Sequence, residues 1–332
     1  MKKSVLLVSL CCAAALQLHA GTPSRVEKKS FAGMKEVKFD QAYGNITVRE
    51  SDSGEIQLEI QYYDGKKDKP VAEISTIGNV LSIKTIRPKI VKNEEIKIDY
   101  IIFTPRNVAM TVDLKYGNIK MDDFYAAFTA KLAYSDLNTN SFVGKPSISC
   151  KYGNIKIDKA ADLQLSTAYA NVEINAVKDL DVKSDYTNYK IGEVQAILQG
   201  SSSAYGDFKI GTIGTINMKL SYSGLKIDTV EKSAVVKYNY SDVKINQTSK
   251  QLANIELNGN YSDLKFGLHP DLSAKFDINL MYGDLNVSNS YDVKYSASEA
   301  KNNRVKKVGT IGNQPPTAQI TVSSTYGDVK IK

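Results

Sequence analysis

The sequence predicts an all-β protein built as a parallel β-solenoid (β-helix-like) of about 18-residue coils with an irregular N-terminal β cap. Three observations predict it. First, a six-residue phrase, Tyr, small, Asn or Asp, apolar, Lys, apolar, recurs until the chain ends; Tyr152-Gly153-Asn154-Ile155-Lys156-Ile157 is its clearest copy. Its copies start at Tyr43, Tyr116, Tyr134, Tyr152, Tyr169, Tyr186, Tyr205, Tyr222, Tyr240, Tyr261, Tyr282 and Tyr326, and from Tyr116 to Tyr240 the steps are 18, 18, 17, 17, 19, 17 and 18 residues. Second, apolar residues alternate with a period of two on either side of each Tyr, the mark of half-buried strands. Third, no segment sustains a helical period.

The ends and the composition set bounds. Residues 1–20 have the build of a secretory signal peptide: Lys2 and Lys3, an apolar run over 5–16, and Leu18-His19-Ala20 as a small-residue cleavage site. That run is too short for a stable membrane span, and no later stretch is apolar for long enough. Leu10 stands where a lipoprotein signal wants a small residue, so Cys11 and Cys12 are not read as lipidated. Removing the segment leaves Cys150 as the one cysteine and His269 as the one histidine. An internal disulfide is then excluded, and the core and the ladders must hold the fold. The formal charge of +7 loses two lysines to become +5, a mild bias that does not point to nucleic acid.

Residues 21–107 read as the N-terminal β cap region. Val37, Phe39, Ile46 and Val48 flank the first Tyr-Gly-Asn corner; Ile56, Leu58, Ile60 and Tyr62 form a run stopped by Asp64-Gly65. Residues 74–83 read as two strands around Gly78-Asn79, a tight hairpin turn. Ile96, Ile98, Tyr100 and Ile102 make a strand ended by Thr104-Pro105.

Residues 108–332 read as the repeats. Counting from each Tyr as zero, position −4 holds Val112, Ala130, Ile148, Leu165, Val182 and Met218, with Ser201 the lone polar residue. After the Tyr the parity changes: apolar side chains sit at +3 (Ile119, Leu137, Ile155, Val172) and +5 (Met121, Ile157, Ile174, Ile191). A switch from even to odd offsets requires a bend, and Gly-Asn or Ser-Asp at +1 and +2 is turn chemistry. The later coils lengthen to 21 residues, and 44 separate Tyr282 from Tyr326. The extra length, at about 288–317, is expected to leave the stack as a loop or hairpin with a basic tip (Lys301, Arg304, Lys306, Lys307) before the chain closes on Tyr326.

These features resemble the adhesin-like families of bacterial envelope proteins, the auto-transporter adhesin head domains and their relatives of unknown function. The likeness rests on the export signal, on the approach Tyr100-Ile101-Ile102-Phe103-Thr104-Pro105-Arg106-Asn107-Val108, and on the run of Gly-Asp/Asn-apolar-Lys-apolar corners. The resemblance implies a β-solenoid at the cell envelope and no catalytic residues. The regular Tyr at each corner and the long insert go beyond the family pattern.

Stacked coils set equivalent side chains about 4.8 Å apart, so every repeat position becomes a ladder. Position +4 is Lys120, Lys156, Lys190, Lys209, Lys226, Lys244, Lys265 and Lys330, pointing outward because +3 and +5 point in. This row is the candidate binding face, able to grip an anionic glycan or surface; the competing reading is a solvated face whose lysines discourage sheet aggregation. Two unit charges about 5 Å apart repel by about 0.8 kcal/mol in water, and the Asp residues at +2 are the expected compensation. Those Asp and Asn residues lack the Gly-Gly-x-Gly-x-Asp phrase of calcium-binding rolls, so no metal is expected. The Tyr column reads as self-stacking or, alternatively, as a sugar platform. Every Asp that could serve in catalysis belongs to the repeat and His269 has no partner motif, so no catalytic residue and no cofactor are expected.

The functional expectation is a non-enzymatic exported protein of a bacterial periplasm or cell surface. It would be adhesin-like, binding a surface, glycan or partner protein through its repeated faces, with no nucleic-acid partner and no membrane span. The alternatives are a periplasmic scaffold or envelope-stress accessory and, third, a polysaccharide-acting β-helix enzyme.

Overall fold

Residues 21–88 and 96–332 are described by a computed structural model of the chain. The expected signal peptide at 1–20, with Cys11 and Cys12, lies outside them.

The alternating runs join into long strand paths that turn at each Tyr. Ala109–Phe124, Phe128–Phe142, Asn154–Ala168, Asn171–Asp185, Asn188–Ala204, Phe208–Ser221 and Leu225–Asn239 lie side by side, parallel and largely in register. The bend falls at the Tyr of each coil, and all twelve of these tyrosines have φ between 44° and 62°. Positive φ reverses the pleat, which is why inward positions pass from even to odd offsets across the corner. The corner amide is not left unpaired: Tyr152, Tyr169 and Tyr186 donate to Ala168, Asp185 and Ala204 of the following coil at 3.0, 3.1 and 2.9 Å.

Each coil wraps a core about one side chain deep. In the coil of Tyr169, Leu163, Leu165 and Thr167 point in before the corner, and Val172, Ile174 and Val177 after it, all buried. The last of these occupies +8, where Phe124, Phe142, Val194, Ile213 and Val230 are also buried. Position +8 carries the core around the third side of the coil, a contribution that the pattern at +3 and +5 does not disclose. At about 1.5–3 kcal/mol per buried Leu, Ile or Phe, six or seven inward side chains per coil supply the stabilisation that no disulfide provides.

One inward assignment is corrected. Ser201 does not occupy the −4 rung of its coil. Gly200 does, in register with Val182 and Met218, and Ser201 is exposed. This is the 19-residue coil, and the extra residues are absorbed as register shifts after Val177 and Val182. A Cβ on Gly200 would approach Met218 Cγ to 2.8 Å, so the thioether fills the space that glycine leaves.

The corner at Tyr43, within the expected cap region, forms a coil of its own. Glu36–Ala42 and Ile46–Glu50 pair in parallel with Ala109–Phe124, so residues 36–50 are the first coil of the stack. Outside them lie Val80–Ile86 and Lys97–Thr104, then the antiparallel partners Val71–Ile77, Ile56–Tyr63 and Arg25–Phe31. The stack therefore ends in hairpin-like strands that cover its open ladder.

The far end departs from sequence order. Ala318–Thr325 does not follow Ala274–Met281 at the tip of the stack. It lies between Asn254–Asn260 and Ala274–Met281, parallel to both. Val329–Ile331 is inserted likewise between Leu264–Phe266 and Leu285–Val287. The coil of Tyr282 is thus outermost, and the insert folds back as the antiparallel pair Val293–Lys301 and Arg304–Ile311, with Arg304–Ile311 against Ala274–Met281. Its turn is Asn302-Asn303, both at positive φ (52° and 59°), set among Lys301, Arg304 and Lys306.

Candidate binding faces

Stacking turns each repeat position into a row, and three rows meet around the corner. The tyrosine row is continuous: from Tyr43 to Tyr261, then Tyr326, then Tyr282, successive rings lie 4.7–5.1 Å apart between centroids and within 14° of parallel. The first ring is capped by the Arg87 guanidinium, 3.7 Å from the Tyr43 centroid. The rings are 41–52 % exposed, but the exposed parts are edges and hydroxyls because both faces of an interior ring are taken by its neighbours. A sugar that needs an aromatic face finds none free on the interior rings of the column.

Next to the tyrosines, the small residue at +1 points inward. Where it is Ser, its hydroxyl donates to the −1 carbonyl of its own coil (Ser135 to Ala133, Ser223 to Ser221, both 2.9 Å). The same hydroxyl accepts the +1 amide of the preceding coil, from Gly117 and Gly206 at 3.3 Å and from Ser223 to Ser241 at 3.0 Å. At +2 the Asn and Asp side chains act as acceptors for the backbone of the next coil. Asn118 Oδ1 takes the Asp136 amide at 3.3 Å, Asp136 Oδ1 the Asn154 amide at 2.7 Å, and Asp207 Oδ1 the Gly224 amide at 3.0 Å. These hydrogen bonds stitch coil to coil, and the described residues contain no group of three or more His, Cys, Asp or Glu that could hold a metal ion.

The +4 row lies on the outer face after the corner. Lys120, Lys156, Lys190, Lys209, Lys226, Lys244 and Lys330 are exposed and Lys265 is half-buried. The register places them unevenly. Lys120 pairs with Asn138, Asn138 with Lys156, and Lys156 with Glu173. From there Lys190, Lys209, Lys226, Lys244, Lys265 and Lys330 are consecutive, with Glu173 bounding the run at one end and Asn286 at the other. Glu173 accepts from Lys190 Nζ at 2.8 Å. The ammonium holds the Glu173 carboxyl below its ordinary range, and Glu173 raises Lys190 in return. The +2 carboxylates of Asp136, Asp207, Asp263 and Asp328 accept backbone amides, and among the described residues no +2 carboxylate makes an ion pair with a +4 lysine. Lys332, at +6 of the last coil, is brought down to about 8, first by its hydrogen bond with Lys265, then by desolvation and the nearby lysines.

The remaining reactive groups do not converge. Cys150 is fully buried, and burial pushes its thiol up to about 11. The His269 ring nitrogen accepts the Asp271 amide at 3.1 Å in a turn. Tyr189, buried and stacked on Phe208, hydrogen-bonds Thr167 at 2.6 Å inside the core. Grooves run along the outer faces; one of about 290 Å³ is floored by Gly192 and Gly211 beside Lys190 and Lys209, and one of about 700 Å³ lies at the hairpin tip. Among the described residues no helix is long and apolar enough to cross a membrane.

Coils of this construction define a class of β repeat proteins in which parallel strands stand in rows. Residues 34–332 match the family model Toastrack DUF4097. The chain belongs to that family. Solved structures with similarity to it include one described as a "putative adhesin" from Parabacteroides merdae (10 % identity, 94 % of this chain and 98 % of that chain, TM-score 0.35). A second of that description, from Parabacteroides distasonis, has 14 % identity over 93 % and 96 % of the two chains at a TM-score of 0.33. A third, described as a "putative lipid binding protein" from Parabacteroides distasonis, has 10 % identity over 93 % and 97 % at 0.30. No curated protein matches the chain.

Proposed function

We propose that this chain is a non-enzymatic exported protein of the bacterial envelope that binds an extended partner along its repeated faces. The observation that carries this reading is the distribution of its exposed chemistry. Identical side chains recur rung after rung along the Tyr and Lys rows, and acids and bases are spread over every coil rather than gathered in one cleft. Catalysis needs a few groups converging on one reacting atom, whereas a row of equivalent groups suits an elongated or repetitive partner. The segment at 1–20 supports export, and the adhesin descriptions of the structural neighbours accord with a binding role.

The test is location with contact. Intact cells of the native host are treated with protease and this chain is followed by immunoblot beside a periplasmic control. In parallel, lysine-reactive cross-linking captures what lies against the faces. Loss of the chain while the control survives supports surface binding. Protection until the outer envelope is opened, with cross-links to one envelope protein, supports the periplasmic scaffold instead. Recovery of the chain in the cytoplasmic fraction overturns both.

A further inference from the structure

The lysine row is a single side chain wide, and its continuity depends on the threading of the last coil. In sequence order Asn286 would separate Lys265 from Lys330. In the fold Lys330 lies directly beside Lys265, and Asn286 is displaced to the outside. The result is an uninterrupted run of cations at one per coil, about 4.8 Å apart. Neighbours at this spacing repel one another, and the titration of Lys332, at +6 of the last coil, is lowered first by its hydrogen bond with Lys265, then by desolvation and the nearby lysines. Glu173 relieves the run only at Lys190.

The flanks restrict what can bind. Exposed carboxylates at +2, among them Asp207, Asp242 and Asp263, run parallel to the lysines on the tyrosine side. Asp207 and Asp263 are fixed by accepting amides from the next coil at 3.0 and 3.1 Å. A flat anionic membrane or a double helix wide enough to cover the face would press on these carboxylates. A thread one chain wide can follow the ammonium groups between the +2 carboxylates and Asp228 at +6, which accepts from Asn246 Nδ2 at 2.7 Å. On the other side Gly192 and Gly211 leave a groove beside Lys190 and Lys209.

We propose that Lys190, Lys209, Lys226, Lys244, Lys265 and Lys330 form a track for a linear acidic polysaccharide, lying along the stack with its charges recurring at one or two coil spacings. This rests on the reading of the chain as a binding protein and names the ligand class and face. Lys120 and Lys156 lie outside the track, because Asn138 and Glu173 interrupt the row.

The test measures fluorescence anisotropy of labelled polygalacturonate with the purified protein at about 50 and about 200 mM NaCl. The triple variant Lys209→Gln, Lys226→Gln, Lys244→Gln is compared with Lys131→Gln, Lys183→Gln, Lys237→Gln, which removes the same charge from the face before the corner. Labelled neutral dextran, phosphatidylglycerol vesicles and single-stranded oligothymidine are the competing probes. The track predicts at least about a tenfold loss for the first triple and a flatter salt dependence, with the second triple within about twofold of the parent. Equal losses in both triples would reduce the effect to net charge and overturn the track. Tighter binding of vesicles or oligothymidine than of polygalacturonate, or no preference over dextran, overturns the ligand class. If the first triple binds polygalacturonate as the parent does while envelope cross-links persist, the broader binding function stands and the track falls.

Discussion

A bulky residue at positive φ is an outlier in most folds, yet here every corner carries one. The left-handed conformation costs an L-residue about 1–2 kcal/mol. Stacking offsets it, since each interior Tyr lies between two others and each stacked pair contributes about 0.5–1.5 kcal/mol beyond burial. Tyr186 sits 4.8 and 4.7 Å from Tyr169 and Tyr205. Tyr186→Ala, which keeps the strained backbone and loses both contacts, is expected to destabilise by about 1–3 kcal/mol in urea unfolding. Tyr186→Gly should lose less, because glycine relieves the backbone, and Tyr186→Phe should stay within about 0.5 kcal/mol because the hydroxyl is wet. Equal midpoints for the Ala and Phe variants would show that the stack contributes nothing. Cys150 offers a pH test at the same scale. Its folded thiol titrates at about 11 against an ordinary 9.0, so the folded state holds the proton longer than the unfolded chain. Its contribution is therefore complete below about pH 9 and is lost as pH rises through about 11. Cys150→Ala should flatten the fall in stability over that window, and native protein at pH 8 should resist thiol reagents until it is unfolded.

Within one strand path, the alternation of faces has direct energetic consequences. Ile155 is buried between Leu137 and Val172 on the adjoining coils, while Lys156 beside it points to solvent. Ile155→Asp places an unpaired charge in a core too thin to rearrange around it. The expected loss is at least about 3 kcal/mol, read from urea midpoints or failure to fold. Lys156→Gln should move stability by no more than about 0.5 kcal/mol. Comparable losses from both would contradict the register. The +2 row joins neighbouring strands by a bond that alternation does not encode: Asp136 and Asp207 each accept an amide of the next coil.

The far end of the stack holds a strand that follows the insert in sequence yet lies between two earlier coils. Ala318–Thr325 carries the buried Ile320 and Val322 and pairs with strands on both sides. In a solenoid that simply ended with its last coil, removing that coil would fray one edge. Here deletion of 318–332 opens a gap between the coils of Tyr261 and Tyr282. Hydrogen exchange is expected to show lost protection over 254–311 with protection kept over 109–185. A deletion chain that still protects 274–281 would show that the hairpin end stands without the inserted strand.

Fold class, repeat length, corner positions and the faces around +3 and +5 were legible in the sequence, because each is written in a pattern that recurs within every coil. The turn chemistry after each Tyr and the switch of parity say where the strand bends, and the outward lysines follow from their buried neighbours. Three features were not legible. Gly200 rather than Ser201 fills a rung because a register shift depends on the strands alongside, and Tyr43 heads the stack although 73 residues separate it from Tyr116. The contiguity of Lys265 with Lys330 depends on the last coil docking inside the one before it. The physical reason is common to all three. Every coil presents nearly the same row of amides and carbonyls to its neighbour, so local sequence specifies the shape of a coil, and only the path of the folded chain decides which coil it lies against.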